Sequence, residues 1–165
     1  MKKIILLALL IAPLSAFAQK FGHFNSVDIM QAMPEYTQAQ TELETLQKQY
    51  EDDLKRMQDE LVKKGSEYEK ERANLLDNVR QRREAELNDL QMRIQQSYDD
   101  NRMSLQKLSQ EKMQAITQKV LDAVKEIGTA GGYVYIMDVT AGVPYISATL
   151  STDVTTELKN KLGLK

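Results

Sequence analysis

The amino-acid sequence predicts an α+β protein: a long antiparallel helical hairpin, coiled-coil-like, on a small β-body that copies of the chain share. Three observations carry this reading. Residues 34–127 are charged, hold one glycine (Gly65) and no proline after Pro34, and space their apolar side chains as a coiled coil does. The strand-like segments lie at the two ends, in 19–33 and 128–165. A polar, turn-prone cluster of Asn74, Asp77 and Asn78 sits near the middle of the helical stretch.

Residues 1–18 precede all of this. Lys2 and Lys3 lead into an apolar run from Ile4 to Leu14, broken only by Pro13, and Ala16, Phe17 and Ala18 form a small-x-small cleavage site. That pattern predicts a secretory signal peptide cut after Ala18. The run is too short for a membrane span, which needs roughly 20 apolar residues. Gln19, not cysteine, follows the cut, so no lipid anchor is expected there. Without Lys2 and Lys3, 20 basic residues face 24 acidic ones, a net charge of about −4. That balance argues against a nucleic-acid partner, whose phosphates call for a basic surface. The chain has no cysteine, which excludes a disulfide framework and thiol catalysis.

The first element, residues 20–27, is short and strand-like, and Ser26 is positioned to cap a helix over the residues that follow. Pro34 suits the first turn of the next helix, where its missing N–H costs nothing, and Glu35 complements the positive helix end. Tyr36, Ala39, Leu43, Leu46, Tyr50, Leu54, Met57 and Leu61 then recur every three or four residues. A second seam runs through Leu87, Leu90, Ile94, Tyr98, Leu105, Leu108, Ile116, Val120, Val124 and Ile127. As one rod, the 94 residues of 34–127 would reach about 140 Å. Folded back near 72–79, they make two arms of about 60 Å with facing seams, which returns both strand-bearing ends to one place.

Gly128, Gly131 and Gly132 are expected to stop the second arm. Residues 130–150 then read as a β-hairpin, with Pro144 at the start of its second strand. Alternation places Tyr133, Tyr135 and Met137 on one face and Val134 and Ile136 on the other. Both faces are apolar, so both should be buried. Ser151 or Thr152 caps a final helix that puts Val154, Leu158 and Leu162 on one side and ends at Gly163. The two ends together supply only about 55 residues, a marginal size for a body that must cover its own core. Other copies of the chain should complete it.

The signal peptide, the strand leading into HFNSVDIMQAMPEY, the charged hairpin, then GYVYIMD and DVTTELKNKLG together resemble the Skp (OmpH-like) periplasmic chaperones. The likeness covers essentially the whole mature chain and rests on order and pattern. It implies a homotrimer in the periplasm, whose hairpins project as tentacles around a cavity holding unfolded outer-membrane proteins, with no enzymatic activity and no cofactor. The best-known members are strongly basic, whereas this mature chain is acidic.

The charge is nonetheless uneven. Residues 35–60 carry eight acids and three bases; residues 61–86 carry six acids and seven bases. Lys63, Lys64, Arg80, Arg82 and Arg83 near the tip are candidates for contact with clients, lipopolysaccharide or anionic lipid. The alternative is a solvated helix face whose arginines pair with Glu84 and Glu86. Met92 and Met103, about 20° apart on an ideal helix, either line a client cavity, for which methionine is well suited, or pack on the partner arm. Tyr36, Tyr50, Tyr68 and Tyr98 read as hairpin core. Phe21, Phe24, Tyr133, Val134, Tyr135, Ile136 and Met137 are the expected assembly residues. His23 is the one histidine, so a metal site would need carboxylates alone, and no calcium-loop spacing, nucleophile elbow or phosphate loop occurs. A structural coiled-coil spacer of the envelope that binds a folded partner is the alternative function.

Overall fold

The computed structural model describes residues 19–164, so the predicted signal peptide, residues 1–18, lies outside the described residues. The order of elements is β1 (Lys20–Phe24), α1 (Ser26–Ala32), α2 (Pro34–Glu71), a 3₁₀ turn (Arg72–Asn74), α3 (Asp77–Gly131), β2 (Tyr133–Asp138), a second 3₁₀ turn (Val139–Ala141), β3 (Ser151–Asp153) and α4 (Thr155–Lys161). The chain divides into two compact units, 34–116 and the two ends, 19–33 with 117–164.

The 34–116 unit is an antiparallel pair of helices. Every position of the first predicted seam, from Tyr36 to Leu61, is buried or half-buried in α2. Cross-links fix the register: Glu42 with Lys112 at 2.7 Å, Tyr50 with Ser104 at 3.0 Å, and Tyr68 with Glu84. The chain reverses over residues 72–76, leaving Leu76 exposed at the turn. Two helices alone make a thin core, in which Ala39, Tyr68, Leu90 and Ile116 are the buried apolar residues among those described. The second seam departs from expectation at one place. Tyr98 is exposed, and the half-buried positions between Ile94 and Leu105 are Ser97, Asp99 and Asn101. Steps of three and four residues from Ile94 to Leu105 can pass through 97 or 98 on the way to 101, and the helix pair turns Ser97, not Tyr98, to the inner side. Gly65 has no atom within 4 Å of where a Cβ would stand, so nothing in the packing demands glycine there.

In the other unit the strands form one sheet of order β2-β1-β3, with both pairs parallel. The predicted β-hairpin therefore does not form. After β2 the chain runs irregularly from 142 to 150, Pro144 lies in no strand, and residues 151–153 are a strand rather than a helix cap. Parallel neighbours need a long connection, and here α1, α2 and α3 supply it between β1 and β2. The capping assignments shift as well. Asn25, not Ser26, caps α1 by accepting from the Asp28 N–H, and the Asp153 carboxylate accepts from the Thr155 N–H at the start of α4. Nor does Gly128 end the second arm: α3 continues to Gly131 and stops at Gly132, whose φ of 66° suits glycine.

The register shifts between Lys20 and Phe21, so Lys20 pairs with Tyr133 but Phe21 with Tyr135. That irregularity turns the Tyr133 ring onto the Ile136 side, away from Tyr135 and Met137 where simple alternation placed it. A Cβ on Gly22 would come within 3.1 Å of this ring, and one on Gly131 within 2.5 Å, so the ring occupies space that only glycine leaves. The Lys20 ammonium covers the ring at 5.4 Å from its centroid. On this side of the sheet lies the unit's core: Phe24, Ile29, Met33, Val120, Ala123, Ile127, Val154 and Leu158, none more than 5% exposed. α1 packs on α4, and the Ile136 side chain reaches Gly128 of α3.

Two carboxylates tie the sheet ends to their neighbours. Asp138 accepts from the Ser26 N–H at 3.3 Å and from both the N–H and the hydroxyl of Thr140. Burial pushes its pKa up, but the hydrogen bonds from Ser26 and Thr140 outweigh burial and hold it below the ordinary carboxylate range. Asp153 is also lowered, first by its hydrogen bond from the Thr155 side chain, against a smaller opposing effect of burial. A carboxyl with a depressed folded pKa adds stability above its unfolded pKa and loses it as the pH falls through the folded value. Urea midpoints should therefore show no contribution from these two groups to any change between pH 7 and about pH 5, and a loss below about pH 4. In Asp138→Asn with Asp153→Asn that acid loss should be shallower; an unchanged slope would remove them as its source.

Candidate assembly and client surfaces

The second face of the sheet carries no layer of its own chain comparable to the core. Phe21 pairs with Tyr135 and His23 with Met137, so these four side chains share that face, and the Phe21 and Tyr135 rings lie 4.8 Å apart. The irregular segment after β2 runs alongside and adds Val143, Tyr145, Ile146 and Leu150, leaving an open groove of about 290 Å³. Its polar contact is between His23 Nδ1 and the Ser151 hydroxyl, 2.8 Å apart. Tyr145 is 80% exposed and Leu150 75%, and Val134, Tyr135 and Met137 are exposed too. The expectation that both faces of β2 are buried thus fails for the single chain. Buried packing occurs on one side; the other is an apolar surface open to solvent.

In the helical pair the outward faces are charged and polar, with a few apolar exceptions. Met92 is 63% exposed and Met103 56%, so neither packs on the partner helix. Val62 is exposed on α2. Near the turn Tyr68 is buried and donates its hydroxyl to Glu84, which raises the tyrosine pKa, and the Arg72 guanidinium lies 6.0 Å from its ring centroid. Glu84 is therefore the partner of a tyrosine, not of the arginines to which sequence reasoning gave it. Among the described residues no helix is long and apolar enough to cross a membrane, and no group of three or more His, Cys, Asp or Glu is placed to hold a metal ion.

Comparison with known families matches the model for "Outer membrane protein (OmpH-like)" to residues 20–162, nearly the full described chain. The chain belongs to the OmpH-like family. A solved structure from Caulobacter crescentus CB15, a candidate outer membrane chaperone (OmpH-like), superposes with a TM-score of 0.74 at 13% identity, covering 87% of this chain and 83% of that one. At that identity the likeness is one of fold. A comparison with curated protein sequences finds no match.

The residues singled out from the sequence fall into distinct places in this OmpH-like chain. Lys63 is exposed and Lys64 half-buried, its ammonium 3.3 Å from Glu60. Arg80 pairs with Asp77, Arg82 lies 3.9 Å from Glu86, and Arg83, like Lys63, has no ion pair among the described residues. Exposed pairs of this kind contribute little to stability. Of the expected assembly residues, Phe21, Tyr135 and Met137 meet on the open face. Phe24 and Ile136 do not: parity within the strands points them into the chain's own core. Sequence reasoning missed Tyr145, Ile146 and Leu150 as members of the open face. Their signal was an apolar run beside glycine and proline, which it absorbed into a strand.

Proposed function

We propose that the protein is an ATP-independent holdase chaperone of the periplasm, assembled as a homotrimer, that sequesters unfolded outer-membrane β-barrel proteins between its helical arms. The observation that carries this reading is the apolar sheet face that the single chain leaves open. A face of that kind calls for a cover, and identical faces on other copies supply one of matching character. Membership of the OmpH-like family supports a chaperone role, and the Caulobacter relative carries that description itself. Client retention then rests on many weak contacts: scattered apolar groups such as Met92 and Met103, and the cations Lys63, Lys64, Arg80, Arg82 and Arg83 toward the turn. These cations are also the place where lipopolysaccharide or an anionic lipid surface would bind. The reversal at residues 72–76 favours this reading over an envelope spacer, whose signature is an unbroken rod.

Light scattering tests it. A urea-denatured β-barrel protein diluted into buffer aggregates, and an equimolar amount of assembled trimer is expected to suppress the scattering without nucleotide. Scattering that stays unchanged even at excess protein rejects the holdase.

A further inference from the structure

We propose that Met92 and Met103 form an oxidation-sensitive patch on α3, through which a peroxide-class two-electron oxidant weakens client retention. This inference rests on the chaperone reading above and adds a modification site and its regulation. The chain has no cysteine, so methionine sulfur is its most readily oxidised group. Among the described methionines, Met33 is buried and Met30, Met57 and Met113 are half-buried, shielded by their own units. Met137 belongs to the open sheet face, which assembly covers. Met92 and Met103 are the two that stand out from a helix pair into solvent.

Their placement makes the chemistry consequential. Eleven residues of α helix separate them by about 16 Å and about 20° of rotation, so they share one stripe. The stripe is otherwise polar: Gln95, Gln96, Asp99 and Gln106 fill it, and the Gln95 amide donates to Asp99 at 3.1 Å. The two thioethers are thus its whole apolar content between residues 92 and 106. In the reaction a sulfur lone pair attacks one peroxide oxygen, the S–O bond forms as the O–O bond breaks, and the departing oxygen leaves as water after proton transfer. Sulfur loses two electrons and the peroxide gains them. The sulfoxide is polar and hydrated, so the stripe becomes uniformly polar and its grip on apolar client segments is lost. A thiol-dependent reductase restores the thioether, with two thiols becoming a disulfide and water released.

The test treats the assembled protein with hydrogen peroxide and follows each methionine by peptide mass alongside retention of a urea-denatured β-barrel protein. Met92 and Met103 should convert first, and client dissociation should rise about tenfold, a loss comparable to one buried methionine side chain. Met92→Leu with Met103→Leu keeps the stripe apolar without oxidisable sulfur, and its client dissociation should not rise on the same treatment relative to its own untreated sample. Two results overturn the proposal: full retention by the wild-type protein with both residues converted, or equal loss in the leucine variant. An untreated protein that retains no client overturns the chaperone reading and this one with it.

Discussion

Tyr135→Asp is expected to reduce the proposed trimer to monomers and abolish the proposed client protection in the same step, with helical content unchanged. Tyr135 sits in the middle of the open sheet face, its ring against Phe21, and the chain itself leaves it exposed. The monomer fold therefore has little need of it. Covered by another copy, an aspartate there would lose its water without gaining a partner, a cost of several kcal/mol, or about a thousandfold in association. Sedimentation should show loss of the proposed trimer's mass, far-ultraviolet dichroism should stay constant, and light scattering should show client aggregation. Ile136→Asp is the informative contrast. Its half-buried side chain lies on the core side of the sheet against Gly22 and Gly128, so the same charge one residue away should destabilise the body instead. A Tyr135→Asp protein that remains trimeric, or that protects clients as a monomer, removes the open face as the assembly element.

Leu158→Ala is expected to cost about 3 kcal/mol of body stability. Leu158 is 0% exposed, on a helix of seven residues that has little stability of its own and is held by packing on α1. Ile29 on α1 is equally buried. With so small a core, no neighbour is free to collapse into the space left by the lost side chain. Urea unfolding followed by the tyrosines of β2 should show the shift, and Leu76→Ala at the exposed turn should change it by no more than ~0.5 kcal/mol. A Leu158→Ala cost below about 1 kcal/mol would mean that α4 contributes little to the fold.

The helices were readable because their signal is local. A side chain every three or four residues names a seam with no knowledge of its partner, and it failed only where Tyr98 competed with Ser97 for one position. The sheet was harder. Consecutive strand-like runs joined by a glycine- and proline-containing segment suggest a hairpin, yet the strand that organises this sheet is β1, from the far end of the chain. Nothing local marks that pairing, and nothing local marks the register shift that turns Tyr133 to the other side. The open face was half legible for the same reason: Phe21, Tyr135 and Met137 could be named by composition. Phe24 and Ile136 could be set apart only once the side facing α3 was known.

The central position of β1 also governs when the body can exist. Among the described strands β1 is synthesised first and both of its neighbours later, so its backbone groups wait for partners more than a hundred residues downstream: Phe21 pairs with Tyr135, and the His23 carbonyl accepts from the Val154 N–H. Closing such a loop from a random chain is slow. The helix pair shortens the search, because its own local folding brings the chain near Glu42 beside Lys112 before any strand meets another. Folding should then run in order, helices first and sheet last, and a chain halted anywhere before residue 133 would hold a finished arm and an unmatched strand. Since the sheet is where copies are proposed to meet, only chains synthesised past β3 could enter the proposed assembly, a form of quality control that needs no second protein.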